Sequence, residues 1–189
     1  MKNIIFVFLI FCLSFILSCK PDPTPTPALP NEEITTVVLK LTRLGDSTDT
    51  PTATWEKLDP QSTTPPDTSR AFLNLQKGKV YTGEISFFDK TKTPVLNATV
   101  EIKELANEHL LCYNFAQPQP AAVTLDVSRT DFDTRTPALP LGLTTKITVG
   151  STLGTGRLTA TLRHQPNAKN GDCASGSTDA EVTFRVTVQ

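Results

Sequence analysis

Two histidines and two cysteines are the residues best suited to chemistry in this chain. His109 stands three residues before Cys112, and His164 stands nine before Cys173. Neutral imidazole and thiolate are good ligands for borderline and soft metals, so a His109, Cys112, His164, Cys173 set would suit Zn²⁺ or copper. The spacing matches no structural zinc knuckle. An even pair of cysteines in an exported chain is most simply a disulfide, Cys112 to Cys173, with two free thiols or two metal ligands as the other readings. In the disulfide reading His109 is a core histidine on a helix face and His164 caps a strand.

Other candidate groups are weaker. Glu101, Glu104 and Glu108 fall on one side of a candidate helix, where like charges four apart repel by a few tenths of a kcal/mol. A cation could relieve that, and so could solvent. Asp126, Asp131 and Asp133 lie in or beside a polar stretch, but the central Gly and terminal Glu of a calcium loop are missing. Trp55, Tyr81 and Tyr113 are the aromatic candidates for a carbohydrate platform, although each sits in a strand pattern where packing is the default use. The sequence has no Gly-x-Ser-x-Gly, no His-Glu-x-x-His and no phosphate-cradling glycine loop. A non-catalytic role is the expectation.

The elements that must position these residues read as strands. The 189 residues carry 18 basic and 19 acidic side chains, a formal net charge of −1, with 15 Pro and 9 Gly. No basic block tracks a nucleic-acid backbone. Alternation marks strands over Ile34 to Leu44, Thr52 to Leu58, Ala71 to Leu75 and Val80 to Phe88. The turn Gln76-Lys77-Gly78-Lys79 joins the last two as an expected hairpin. From Val95 to Leu110, apolar residues recur at spacings of three and four, which predicts a short helix. Leu110 to Phe115, Ala122 to Val127, Leu143 to Val149, Arg157 to His164 and Ala180 to Val188 follow as strands, with a polar loop over Arg129 to Leu141. About nine short strands and at most one helix predict an all-β, antiparallel immunoglobulin-like or Greek-key β-sandwich over residues 31–189. A closed barrel is the alternative.

Ahead of that body, residues 1–18 have the form of a secretory signal. Lys2 is followed by an apolar run from Ile4 to Leu17, about 14 residues against the roughly 20 needed to cross a bilayer. Ile16-Leu17-Ser18-Cys19 resembles the lipobox of bacterial lipoproteins. That resemblance implies cleavage before Cys19, a lipidated thiol and an acylated new amine, hence several chains such as palmitate and a stable membrane anchor. Residues 19–30 then read as a lipidated cysteine and a Pro-rich tether, in which Lys20 to Pro30 would extend roughly 30 Å as polyproline.

Several segments together resemble a group of small outer-membrane lipoproteins. They are the lipobox and tether, Asn31-Glu32-Glu33-Ile34-Thr35-Thr36-Val37, Asn107-Glu108-His109 before Tyr113, Gly142-Leu143-Thr144-Thr145, and Leu162-Arg163-His164-Gln165-Pro166-Asn167. Members often carry the label of a type 1 periplasmic-binding fold, which implies alternating strands and helices; the period-two pattern here argues against it. The Asp-rich loop of similar proteins is thinner in this chain. The resemblance implies a cell-envelope protein anchored in the outer membrane, on its periplasmic or surface face, that assists nutrient or metal uptake through a TonB-dependent receptor. A structural or adhesive surface domain and a carbohydrate-binding module are the competing readings.

Overall fold

The computed structural model describes residues 33–118 and 123–189. The readings placed on the signal segment, Cys19 and the tether lie outside the described residues. Among the described residues ten strands and one helix form: β1 (Thr36–Arg43), β2 (Thr52–Glu56), β3 (Phe72–Leu75), β4 (Val80–Asp89), β5 (Leu96–Asn97), α1 (Ala98–Glu104), β6 (His109–Ala116), β7 (Leu125–Arg129), β8 (Thr144–Val149), β9 (Gly154–His164) and β10 (Ser177–Val188).

The alternation seen in the sequence is what these strands bury. Val37, Leu39 and Leu41 of β1, Tyr81, Ile85 and Phe87 of β4, and Val182, Phe184, Val186 and Val188 of β10 all turn inward. Each side chain removed from water in this way contributes about 1.5–3 kcal/mol before the entropy of ordering it. The strands form two sheets, β2-β1-β4-β8-β7 with β5 added beside β4, and β3-β10-β9-β6. Their inner faces pack into one core within the compact unit Asn31–Gln189.

The strand order is immunoglobulin-like. β7-β8-β4-β1 follows the order D-E-B-A of that fold, and β6-β9-β10 follows C-F-G. Two departures from the sequence reading matter. Strands β3 and β4 are not a hairpin: β4 pairs with β1 and β8, whereas β3 lies in the opposite sheet, parallel to β10 with Phe72 opposite Arg185. The turn at Gly78 therefore crosses between layers, and one pair in the sandwich is parallel.

The helix is also shorter than its apolar stripe. Asn97 caps α1 by accepting from the Thr99 N–H, and the helix closes at Leu105 after seven residues. Ala98, Ile102 and Ala106 face the core, but Val95 at the head of the stripe is exposed and Leu110 at its tail is buried as part of β6. His109 accordingly opens a strand and is not on a helix face.

Candidate functional site

The connections β4–β6 (residues 90–108), β7–β8 (residues 130–143) and β9–β10 (residues 165–176) meet at one end of the sandwich, as the B–C, D–E and F–G loops of the immunoglobulin architecture do. Both histidines lie there. β6 and β9 pair antiparallel with His109 opposite His164, and their rings stack with centroids 4.9 Å apart and planes 13° from parallel. His109 is buried. Its Nδ1 lies 3.2 Å from the Leu105 carbonyl, to which it donates, and its Nε2 faces Asp179 Oδ2 at 3.6 Å. Asp179 sits where β10 bulges between Thr178 and Ala180, and its Oδ1 is buried without a hydrogen-bond partner among the described residues. His164 Nε2 faces Glu108 Oε2, also at 3.6 Å, at a more open position.

The cysteines serve a different purpose. Cys112 and Cys173 are joined in a disulfide with Cα atoms 5.9 Å apart. Side chains alternate along a strand, so His109 and Cys112 point to opposite faces of β6. The histidines line the inner face at the mouth of the sandwich, while the disulfide pins the β9–β10 loop to the outer face. The tetrad of His109, Cys112, His164 and Cys173 is thus not a Zn²⁺ or copper site: its sulfurs are bonded to each other and its four side chains do not converge. Among the described residues no group of three or more His, Cys, Asp or Glu side chains is placed to hold a metal ion.

What holds the three loops together was not visible in the sequence. Lys169, from the β9–β10 loop, is fully buried. It donates to the Ala106 carbonyl (2.8 Å) in the β4–β6 connection and pairs with Asp133 (3.2 Å) in the β7–β8 loop. Arg135 reinforces the arrangement, donating to Asp133, to the Lys169 carbonyl and to the Asn107 carbonyl. Burial opposes the Asp133 charge, but the Leu139 N–H, Lys169 and Arg135 outweigh it and hold the carboxyl down at about 2. Burial likewise pushes the Lys169 ammonium below the usual lysine range, against the pull of Asp133. Burial opposes both charges, and only the carboxylate has donors enough to outweigh it, so the pair's stability rests on Asp133 remaining charged.

The other acidic candidate in the loop is equally occupied. Asp131 accepts from the backbone N–H groups of Gly142, Leu143 and Thr144. Neither Asp131 nor Asp133 offers a free carboxylate to a calcium ion. Gln165, also fully buried, donates to the carbonyls of Asp172 and Ser175 and so folds the β9–β10 loop back on itself. Gly176 ends that loop with φ 77°, and a Cβ there would lie 2.1 Å from the His164 carbonyl oxygen.

The aromatic candidates are taken up by packing. Tyr81 is fully buried, and Trp55 and Tyr113 lie against the core. The Tyr113 hydroxyl donates to the Gly142 carbonyl at 2.7 Å, and burial, with Asp131 nearby, pushes its phenol upward. They do not supply the exposed row that a sugar platform would need.

Compared with protein-family models, curated proteins and solved structures, the chain matches none of them.

Proposed function

We propose that the protein is a lipid-anchored envelope lipoprotein whose β-sandwich is a non-catalytic binding module, presenting its loop end to a partner protein. The observation that carries this reading is the Lys169–Asp133–Arg135 lock. It ties three separate connections into one surface, and a surface ordered in advance loses less entropy on association. Loops carried on a rigid sandwich are where binding residues concentrate. The anchor rests on Cys19 and the apolar run before it, and the lipoprotein resemblance supplies the partner class, an outer-membrane receptor of the TonB-dependent kind.

The test joins anchor and surface. In cells carrying a photo-crosslinker at Asn170, in the β9–β10 loop, a discrete adduct with one membrane protein is expected; the same crosslinker at Ser151, in the β8–β9 turn at the other end, gives none. Cys19→Ser is expected to move the protein from the membrane to the soluble fraction and to abolish the adduct. Retention of the variant in membranes refutes the anchor, and equal adducts from both ends refute the assignment of the surface.

A further inference from the structure

The outer face of the four-stranded sheet carries an arrangement the loop end does not explain. Strand register places Phe72, Arg185, Arg157 and Ala116 in a single row across β3, β10, β9 and β6. Arg157 and Arg185 are direct cross-strand neighbours, a placement in which like charges repel. The same ladder elsewhere avoids this conflict. Thr159 meets Thr183 hydroxyl to hydroxyl at 3.0 Å, and Thr161 donates to Glu181. Glu181 itself lies four residues along β10 from Arg185, roughly 13 Å away, too far to neutralise the pair at ordinary salt.

Every other described arginine is engaged by the fold. Arg43 pairs with Asp49, Arg70 with Glu56 and Arg135 with Asp133, while Arg129 and Arg163 donate to backbone carbonyls. The side chains of Arg157 and Arg185 alone have no hydrogen-bond or ion-pair partner among the described residues. They also line a groove of about 750 Å³ with Phe72, Pro118 and Val186, a size typical of small-ligand sites. Phe72 is 44% exposed, an apolar ring left beside two unpaired cations.

We infer that this groove binds a small organic anion, with its carboxylate, sulfate or phosphate group held between Arg157 and Arg185 and its apolar body against Phe72 and Pro118. Guanidinium forks match planar and tetrahedral oxyanions through paired N–H donors. A bound anion turns the repulsion between the two arginines into shared attraction, so the site gains from occupancy what it lacks when empty. All four positions in the row are on strands, which fixes their spacing. The inference is independent of the loop-end reading, because the groove lies near the start of β9 and the histidines lie at its end.

The test uses the full chain in a neutral detergent, titrated calorimetrically with phenyl phosphate, benzoate and inorganic phosphate. Phenyl phosphate and benzoate are expected to bind saturably, and inorganic phosphate at least fivefold more weakly than phenyl phosphate. Arg157→Gln and Arg185→Gln are each expected to weaken phenyl phosphate about tenfold. Phe72→Ala is expected to weaken phenyl phosphate while leaving inorganic phosphate unchanged. The unliganded arginine variants should melt no lower than the parent, which separates lost binding from lost folding. No saturable binding of either aromatic probe, or unchanged affinity in the double variant, overturns the assignment. Equal affinity for phenyl and inorganic phosphate overturns its apolar half. Binding to vesicles of anionic lipid that requires Phe72 and both arginines, with no binding of the soluble probes, overturns it in favour of a membrane-contacting patch.

Discussion

Asp133→Ala is expected to lower the unfolding free energy by about 3–5 kcal/mol, the usual consequence of removing one member of a buried ion pair. The loss comes less from the missing attraction than from what remains. Lys169 would be left without its counter-ion in a site from which water is excluded, with only the Ala106 carbonyl as a partner. The Leu139 N–H and Arg135 would also lose their acceptor. Urea denaturation of the parent and variant at pH 7 measures the difference. Replacing both residues, as in Asp133→Ala with Lys169→Met, should recover most of it, because an apolar side chain can fill the space without a charge to satisfy. A parent-like midpoint for Asp133→Ala alone would show that the lock is dispensable.

The same group sets an acid limit. Asp133 is held at about 2 in the folded chain, below the value near 3.9 expected when unfolded. Its contribution is therefore complete above about pH 4 and is lost as the pH falls through about 2. Denaturant midpoints taken between pH 5 and pH 2 should fall across that window in the parent and much less in Asp133→Ala.

Replacing both Cys112 and Cys173 with alanine is expected to cost about 4 kcal/mol. The disulfide spans 61 residues of sequence, and the entropy of closing such a loop in the unfolded chain gives that magnitude. The bond joins β6 to the β9–β10 loop, on the outer face of one sheet, and does not bridge the two sheets as the immunoglobulin B–F disulfide does. Lys169 and Gln165 hold that loop by other means, so the folded shape should survive and the effect should appear chiefly through the unfolded state. The check is the urea midpoint of the oxidised parent against the double variant and against the parent kept in reductant. Matching midpoints for the oxidised and reduced parent would mean that the crosslink adds nothing.

The strands were legible because their cue is local. Alternating Val, Leu, Ile and Phe with polar residues reports a half-buried strand wherever it lies, and the edges of most elements fell within a few residues of the pattern. Pairing is another matter. Gln76-Lys77-Gly78-Lys79 has the composition of a hairpin turn, but nothing in those residues states that Leu73 and Leu75 face the core from one layer while Tyr81 and Ile85 face it from the other. Spacings of three and four from Val95 to Leu110 mixed a short helix with the first buried residues of a strand, and this misplaced His109. With β6 beginning at His109, parity alone puts that residue and Cys112 on opposite faces and dissolves the metal tetrad. Lys169 carried no signal, since its partners Asp133 and Ala106 are far away in sequence. Asp133 reads in the sequence as an oxygen-rich loop residue; its counter-ion is an ammonium from the same chain.

The position of β10 has a consequence for synthesis. This strand runs through the middle of its sheet, with β3 on one side and β9 on the other. A nascent chain that has emerged as far as β9 holds β3 with no ladder partner, and the space destined for Val182, Phe184 and Val186 is still unfilled. Partial folding from the amino end therefore cannot close the body, and the apolar faces stay uncovered until β10 is in place. A chain built on such distant pairings folds late and as a unit, and until then those uncovered faces are open to chaperones.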